Sequence, residues 1–335
     1  MKQSICYDFS SMDTLVEVQA LGEELNEQFV AALKRLPNWF DQVEEAVSRF
    51  NPASELSKLN GSNGGTINVS HLLLTLIEQA LAAAKNTGGI FDPTVLNSLV
   101  QSGYDKSFGE LAAAEDQSDL RKNITHTTRP DKKLLHLDYY REIKIDLRRS
   151  AVTLPPGLGI DLGGIAKGWA VDQAMEYVQK WESDAEVCIN AGGDLRLHVP
   201  AGGEPWKVAV QNPFDQDQDL GFIILTSAAV ATSSVLKRRW QTKGRVQHHI
   251  IDPRLSEPSH SDMVAATVVA PTAAEAEVWT KTLCILGKEE GFALLARQAG
   301  RAALGFLNDG SLVVNKQMKE LIIFQPFRIL EYTTI

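Results

Sequence analysis

The sequence predicts an α+β fold in which helices flank mixed, largely antiparallel sheets. Apolar residues recur at helical spacing mainly in the first hundred residues, whereas short apolar runs separated by Gly, Pro and polar turns dominate from residue 143 onward. Helices and strands are therefore partly segregated along the chain. This segregation favours an α+β class over a doubly wound parallel sheet, in which the two kinds of element alternate.

The first 50 residues are predicted to form a short strand followed by helices. Four apolar residues spaced four, three and four apart share one helical face: Leu36, Phe40, Val43 and Val47. A second helix is predicted over His71 to Ala84, closed by Gly88-Gly89, where a left-handed cap is favoured. Residues 105–133 are polar and without periodicity, so a long loop or an insertion is expected there.

Seven short apolar runs are the predicted strands of the second half: IKIDL, GIDL, EVCI, WKVAV, FIILT, VQHHIID and AATVVA. Two predicted helices interrupt them, Ile165 to Trp181 and Thr272 to about Ala299. A final hairpin is predicted in GFLNDGSLVV, with Asn308-Asp309-Gly310 at its turn. We expect one unit over residues 1–335, with a division into two subdomains near 140–160 as the alternative.

Composition excludes several classes of protein. The 335 residues are 44% hydrophobic and 22% charged, as in ordinary globular chains, and the net charge of −9 argues against non-specific nucleic-acid binding. The three cysteines are far apart, without a CxxC pair, which argues against a disulfide scaffold and favours a reducing compartment. The start, MKQSICYDFSSMD, has no apolar run of signal-peptide length, and no stretch of the chain approaches the length of a membrane span. We expect a cytoplasmic protein, although a trimmed leader would leave the same sequence.

The segment IDLGGIAKGWAVDQAMEYVQKW, residues 160–181, is the most informative. We predict a strand that ends at Leu162, a turn at Gly163-Gly164, and a helix with Lys167 in its first turn. Glycines permit close approach of a ligand, and a helix start with an ammonium group favours an anion, so this pattern is typical of a phosphate or pyrophosphate cradle. It lacks the spacing of a Walker A loop. The alternative is a plain glycine turn with a solvated lysine.

Two further segments carry histidines or paired glycines. In VQHHIIDP, strand alternation directs His248 and His249 to opposite faces, with Asp252 opposite His249. One of these histidines is a candidate general base, and a structural role is the equal alternative. In CINAGGDLRLHV, Gly192-Gly193 indicate a bulge or a backbone packed against a neighbour, and a tight bend is the favoured interpretation.

Three helix starts complete the set. Glu277 and Lys281 lie four residues apart in EAEVWTKTLCILG, which fits an intrahelical ion pair, or a carboxylate ligand for Mg²⁺. Ser54 and Asp92 each precede a predicted helical turn, where their side chains act as N-terminal caps.

Taken in order, these segments resemble the ApbE family, the FAD:protein FMN transferases. The resemblance runs from about Met12 to Gly291 and depends on the order of the motifs as much as on any one of them. The motifs are SELS with Asn60, FDPT at 91–94, DLGGIAKG at 161–168 with Asp172, NAGGD at 190–194, ATS at 231–233, HIIDP at 249–253, and the helix ending at Gly287.

The resemblance implies an ApbE-like fold that binds FAD and transfers its FMN part to a Thr or Ser hydroxyl of a partner flavoprotein, releasing AMP with the help of Mg²⁺. It implies His249 as the catalytic histidine, with the nearby carboxylate of Asp252 as the other candidate. The implied flavin-nucleotide contacts are Met12, Phe50, Ile90, Phe91, Asp92, Asp161, Lys167 and Ile251. The implied metal positions are Gly164, through its carbonyl, and Glu277 and Lys281 on the last helix. Thr280 could replace Lys281 as a ligand only if the helix rotated or the register shifted.

The last helix departs from the family pattern. The family has Asp and Thr four residues apart, where this sequence has Glu277 and Lys281. Lysine brings a cation to the expected place of Mg²⁺, and Thr280 and Thr282 lie about 100° away around the helix. Three outcomes stay open: a rebuilt Mg²⁺ site, a Lys281 ammonium in place of the metal, or flavin binding without transfer.

Three other functions are kept as alternatives. An FAD pyrophosphatase would use water in place of the acceptor hydroxyl, and a non-catalytic homologue would only bind FAD. A phosphosugar enzyme on an unrelated fold would also need a glycine-rich cradle. The expected partners are FAD and an acceptor flavoprotein, with no nucleic acid and no membrane segment.

Overall fold

A computed structural model describes residues 2–113, 138–182, 184–242, 244–324 and 332–335. Its main feature is a nine-stranded sheet. In spatial order the strands are β1 (Gln3–Ser11), β2 (Thr14–Gly22), β6 (Glu186–Ala191), β7 (Asp194–His198), β10 (Ala228–Ser234), β15 (Met263–Ala270), β16 (Ala302–Leu307), β17 (Leu312–Val314) and β19 (Tyr332–Thr334). Neighbouring strands are antiparallel except β17 and β19, which are parallel. The predicted largely antiparallel sheet is confirmed.

Four smaller sheets surround this one. Two have three strands, in the orders β3 (Thr66–Asn68), β5 (Ala151–Thr153), β4 (Lys144–Asp146), and β18 (Ile322–Phe324), β9 (Asp215–Leu225), β8 (Trp206–Asn212). Two are strand pairs, β11 (Arg239–Thr242) with β12 (Arg245–His248), and β13 (Ile251–Asp252) with β14 (Glu257–Pro258).

The helices of the described ranges lie mostly before residue 114. They are α1 (Glu27–Leu33), α2 (Leu36–Val47), α3 (Glu55–Asn60), α4 (His71–Asn86), α5 (Leu96–Gln101), α6 (Phe108–Ala113), α7 (Ala166–Gln179), α8 (Ala273–Leu295) and α9 (Lys316–Leu321). Short 3₁₀ turns occupy Pro93–Val95 and Tyr139–Glu142. Within these ranges, no helix combines the length and the apolar character that crossing a bilayer requires.

The core consists of two large groups of buried apolar side chains. One joins β2 and β6 to α1, α2, α4 and α7. The other joins β10, β15, β16 and β17 to α8. All eight residues of β15 and all six of β16 are buried, which explains why AATVVA is a continuous apolar run rather than an alternating one.

Several local predictions are confirmed. The four apolar residues of α2 are all buried, and Gly88 and Gly89 follow α4 with φ angles of +65° and +80°. The favoured tight bend at Gly192-Gly193 is a two-residue turn between β6 and β7, with φ angles of +64° and +99°. Such angles suit glycine and match the twist of a hairpin.

Three strand predictions and one loop prediction are wrong or incomplete. The first 25 residues form a hairpin of two nine-residue strands rather than one short strand. The run GIDL belongs to no strand in the described part of the chain, so no strand ends at Leu162. VQHHIID is broken at His249 into β12 and β13. Of the expected loop over 105–133, residues 108–113 begin as α6, and 114–133 lie outside the described residues.

The starts of α7 and α8 lie against each other, and this contact positions the site described below. The Asp172 carboxylate accepts hydrogen bonds from the backbone N–H groups of Ala273 (2.8 Å) and Ala274 (3.0 Å). A Cβ atom on Gly168 would lie 2.5 Å from the carbonyl carbon of Ala273. Glycine is therefore required at 168, because any side chain would separate the two helices.

We expect Gly168→Ala to lower the free energy of unfolding by about 2–3 kcal/mol, since its methyl group would overlap backbone atoms that cannot move independently. Urea titration followed by circular dichroism measures the change. Gly61→Ala is the matched control, because a Cβ there would be 3.4 Å from its nearest neighbour, an ordinary contact. A loss at Gly168 no larger than that at Gly61 would show that the helix starts are not in tight contact.

Candidate functional site

A cavity opens where the hairpin turn of β1 and β2, the loop after α4, the start of α7 and the middle of α8 meet. All eight residues implied as flavin-nucleotide contacts line it: Met12, Phe50, Ile90, Phe91, Asp92, Asp161, Lys167 and Ile251. Gly164, Lys281 and His249 line it as well. Met12 and Lys281, which are 269 positions apart in the sequence, thus line the same cavity.

The turn before α7 is held by Asp161 rather than by a strand. Its backbone N–H donates to the Pro93 carbonyl (2.8 Å), and its Oδ1 accepts from the Gly163 N–H (2.9 Å). Its Oδ2 lies 2.7 Å from Nε of Arg49. These contacts fix the turn at the cavity wall. They also occupy the Asp161 carboxylate, so its part in the site is to shape the turn.

The start of α7 already holds an anion of this chain. Oε2 of Glu277, from α8, accepts the backbone N–H of Gly168 at 3.0 Å. A helix start favours a carboxylate because its N–H groups and dipole are positive. The predicted cradle at this helix start is therefore partly filled by Glu277. The positive charge left for a ligand comes from lysine side chains.

Two lysines share Glu277. Nζ of Lys167 lies 2.6 Å and Nζ of Lys281 lies 3.0 Å from the same oxygen, Oε1 of Glu277. Lys167 also contacts Oδ2 of Asp194 at 2.9 Å. Glu277 has no exposed surface and Asp194 is 4% exposed. Two ammonium groups and two carboxylates therefore form one buried cluster at the floor of the cavity.

The cluster shifts the pKa values of its members. Burial disfavours the charge of Glu277, but Lys167 and Lys281 outweigh it, so the pKa of Glu277 is lowered. Burial likewise opposes the charge of Lys167, and Asp194 with Glu277 outweighs it, so the pKa of Lys167 is raised. Both groups are therefore charged at neutral pH. Asp92, also on the cavity, has its pKa raised to about 6 by burial, although Thr94 donates two hydrogen bonds to it.

The residues implied as metal ligands do not fit a magnesium ion. Both oxygens of Glu277 accept hydrogen bonds, and the hydroxyl of Thr280 is turned to Ser233 (2.7 Å) and to the Glu277 carbonyl (2.8 Å). Lys281 supplies an ammonium where a metal needs an oxygen ligand. In the described ranges, no three His, Cys, Asp or Glu side chains come together as a metal site. The expected Mg²⁺ site is therefore not formed by Gly164, Glu277, Thr280 and Lys281.

The two adjacent histidines have different surroundings, as strand alternation predicts. His248 is buried, with Nε2 3.1 Å from the Ser259 carbonyl and Nδ1 accepting the Ile250 N–H at 3.3 Å. His249 is half-buried on the cavity, and its Nδ1 has no hydrogen-bond partner among the described residues. Burial first, and then Arg238 and Lys281, lower its pKa well below the usual range, so its imidazole is neutral at physiological pH.

Asp252 lies outside the lining of the cavity. Its Oδ2 is 2.7 Å from Nη2 of Arg254 and its Oδ1 accepts the Arg254 backbone N–H at 2.9 Å. The structure thus does not pair Asp252 with His249. Strand alternation places Asp252 on the face opposite His249, and the interruption between β12 and β13 does not bring the two side chains together.

His248 makes stability pH-dependent. Burial lowers the pKa of His248 to about 3, while the unfolded chain takes up a proton near pH 6.5. The unfolded state therefore binds more protons below pH 6.5, and stability falls as pH falls. Between pH 7.5 and 5.5, His248→Gln should lose about 1 kcal/mol less stability than the natural protein. Urea titrations at both values test this. Equal losses would contradict it.

Sequence reasoning missed two arginines at the cavity. The guanidinium carbon of Arg49 lies 4.1 Å from the ring centroid of Phe50 and 4.7 Å from that of Tyr104. Nη2 of Arg49 is buried and has no partner within the described part of the chain. Arg238 contacts Asp13 Oδ2 at 3.6 Å. The basic run before Trp240 was a usable signal for Arg238, whereas nothing local marks Arg49.

Sequence reasoning also missed the residue that holds the hairpin turn over the cavity. Met12 and Asp13 both have positive φ angles, +54° and +56°, which is uncommon for residues other than glycine. The Glu44 carboxylate accepts hydrogen bonds from the Met12 N–H (2.6 Å) and from the Ser11 hydroxyl (3.1 Å). Glu44 therefore stabilises a turn whose residues, Met12 and Asp13, do not favour its backbone conformation.

The sequence matches a known protein family over most of its length. The model of the ApbE family matches residues 12–305. The chain belongs to the ApbE family.

Named relatives agree with this assignment. The FAD:protein FMN transferase of Treponema pallidum is 27% identical over 309 residues, which cover 88% of this chain and 82% of that protein. The FAD:protein FMN transferase of Escherichia coli K12 is 24% identical over 272 residues, covering 79% and 74%.

Two solved structures have the same fold. The ApbE protein of Thermotoga maritima superposes with a TM-score of 0.79 at 24% identity, covering 95% of this chain and 99% of that one. The flavin transferase ApbE of Vibrio cholerae superposes with a TM-score of 0.72 at 23% identity, covering 96% of this chain and 100% of that one. Together they confirm the ApbE-like fold.

Proposed function

We propose that this protein is an FAD:protein FMN transferase, which moves FMN from FAD to a Thr or Ser hydroxyl of an acceptor flavoprotein and releases AMP. One observation carries the proposal. The eight positions implied as FAD contacts, Lys167 among them, line a single cavity together with a second lysine, Lys281, and the neutral His249. The names of the relatives supply the reaction, and the cavity supplies groups suited to it.

The chemistry of the cavity matches the two halves of FAD. Its wall is largely apolar and aromatic, with Phe50, Phe91, Tyr104 and Ile251, which suits flat ring systems. Its floor carries Lys167 and Lys281, which suit a diphosphate with two negative charges. We assign both lysines to the diphosphate, where they would neutralise charge that builds on the phosphoryl oxygens during transfer.

The transfer step exchanges one P–O bond for another. The acceptor hydroxyl oxygen attacks the FMN-side phosphorus, and the bond from that phosphorus to the bridging oxygen breaks. The hydroxyl proton goes to the imidazole of His249, and the bridging oxygen leaves with AMP. We assign no proton transfer to Asp252, because its carboxylate is paired with Arg254. We propose instead that this ion pair stabilises β13, the strand that follows His249.

Binding of FAD would strengthen His249 as a base. Arg238 and Lys281 are among the charges that lower its pKa in the free protein. A diphosphate beside these cations would offset them, and the pKa of His249 would then rise toward the range useful for proton transfer. The histidine would thus gain basicity only when the substrate is present.

The direct test incubates the protein with FAD and a flavoprotein subunit that carries a Thr acceptor site, in parallel with EDTA and with Mg²⁺. Mass spectrometry detects an FMN-sized addition to the acceptor, and chromatography detects AMP. An adduct and AMP in equal amounts support the transferase. Free FMN and AMP without an adduct would instead identify an FAD pyrophosphatase, and FAD binding without AMP would identify a non-catalytic homologue.

Two further parts of the proposal concern the surroundings of the protein. We propose a cytoplasmic location, supported by three cysteines that are all free in the structure. The acceptor is proposed only by class, as a flavoprotein subunit with an accessible Thr or Ser. Fractionation of cells that express the tagged protein tests the location, and recovery in a membrane or exported fraction would contradict it.

A further inference from the structure

We propose that the Lys281 ammonium takes the position of a divalent cation at the floor of the cavity, so that this protein binds the diphosphate of FAD without Mg²⁺. The inference rests on the proposed function only in taking FAD as the ligand. It follows from the position of Lys281, from the engagement of Glu277, and from the carboxylate partners of the ammonium groups in the cluster.

Lys281 lies against the glycine turn. A Cβ atom built on Gly164 would be 3.3 Å from Cδ and 3.5 Å from Cε of Lys281, so the lysine chain passes directly over that turn. Its ammonium continues to Oε1 of Glu277, 3.0 Å away. Gly164 and Glu277 are the two positions between which the family resemblance implies a metal. A lysine side chain spans that interval here.

The oxygens that a metal would need are engaged by donors of this chain. Oε1 of Glu277 accepts from Lys167 and Lys281, and Oε2 accepts from the Gly168 N–H. A divalent cation in this place would have to displace an ammonium from Oε1. It would also lie beside two positive charges, and like charges in a buried site repel strongly.

Each ammonium group of the cluster has a carboxylate partner from this chain. The two ammonium groups face two carboxylates, Asp194 and Glu277, both almost fully buried. An ammonium group has three N–H donors. In the contacts described, Lys281 gives one donor to Glu277 and so keeps two for a ligand, whereas Lys167 gives two and keeps one. The cavity lining thus retains ammonium donors for an anion, and the carboxylates of Asp194 and Glu277 hold the two lysines in place.

Binding measurements without an acceptor protein test the inference on the natural protein. Quenching of FAD fluorescence should give the same dissociation constant, within about twofold, in EDTA and in millimolar Mg²⁺, because no phosphate contact depends on the metal. Electron paramagnetic resonance of added Mn²⁺ should show no protein-bound ion in the presence of FAD. A tightly bound Mn²⁺, or an FAD affinity that falls in EDTA, would overturn the inference.

Variants at Lys281 sharpen the test. Lys281→Thr should weaken FAD binding by about 10- to 100-fold in EDTA, since it removes charged hydrogen bonds, and should recover part of the loss when Mg²⁺ is added. Lys281→Arg keeps the charge and should remain independent of Mg²⁺. Lys288→Met, on the same helix but outside the cavity lining, is the control and should change neither affinity nor metal response.

Each outcome separates this inference from the proposed function. If FAD binds independently of metal but no FMN reaches an acceptor, the inference stands and the transferase proposal fails. If FMN is transferred but FAD binding requires Mg²⁺, the transferase proposal stands and the inference fails. A Lys281→Thr variant that binds FAD in EDTA as tightly as the natural protein would also overturn the inference.

Discussion

Replacing Glu277 with alanine should lower the free energy of unfolding by about 3–5 kcal/mol, because the change removes a fully buried carboxylate and leaves two mostly buried lysines without their shared partner. Nζ of Lys281 and the N–H of Gly168 lose their acceptor, and Nζ of Lys167 keeps only Asp194. Glu277 has no exposed surface, so water cannot readily replace the carboxylate. Urea titration followed by circular dichroism measures the loss.

The same helix offers a matched control. The side chain of Glu289 is 86% exposed, so Glu289→Ala should change stability by less than about 0.5 kcal/mol. Glu277→Gln keeps an acceptor oxygen but loses the charge, and should fall between alanine and the natural protein. A Glu277→Ala protein as stable as Glu289→Ala would mean that the buried cluster does not exist as described.

The stability that Glu277 contributes depends on pH in a defined direction. Its pKa is lowered in the folded protein despite burial, because Lys167 and Lys281 favour the charged form. The contribution is therefore fully present above the pKa of an unfolded glutamate, about 4.3, and is lost as pH falls toward the lower folded value. The difference between the natural protein and Glu277→Gln should accordingly shrink as pH is lowered from neutral through this range.

Local signals in the sequence were sufficient for much of the fold. The buried face of α2, the glycine cap of α4 and the Gly-Gly hairpin turn each depend on residues within one element or one turn. The sequence did not reveal that GIDL lacks a partner strand, because strand pairing depends on residues that are distant in the sequence. The first hairpin was also missed, because its turn at Met12-Asp13 is stabilised by Glu44, which lies 32 residues away from Met12, on α2.

The features of the site likewise differ in whether local sequence signals could predict them. The glycine turn, Lys167 and the His248-His249 pair could be found by composition and spacing, and the flavin-contact positions implied by the resemblance all line the cavity. No local pattern predicts that two lysines share Glu277, because one of them, Lys167, is 110 residues away in the sequence. The ion pair of Lys281 with Glu277 was foreseeable at four-residue spacing, but its place over Gly164 was not.

His249→Ala should reduce the rate of FMN transfer by about 10²- to 10⁴-fold, the usual contribution of a general base, and leave FAD affinity within about threefold of the natural value. The reason is that His249 lines the cavity with a neutral imidazole, whereas the diphosphate is assigned to Lys167 and Lys281. Single-turnover transfer measured by mass spectrometry gives the rate, and quenching of FAD fluorescence gives the affinity.

The exposed His71, at the first residue of α4, supplies the control, and His71→Gln should transfer FMN at the natural rate. A stronger criterion is the pH profile, because removal of the base should abolish the acid-side loss of rate that protonation of His249 causes. If His249→Ala lowered FAD affinity as much as the rate, the histidine would be a binding residue, and the proton would have to leave by another group. Asp92, on the same cavity with its pKa raised to about 6, would then be the next residue to replace.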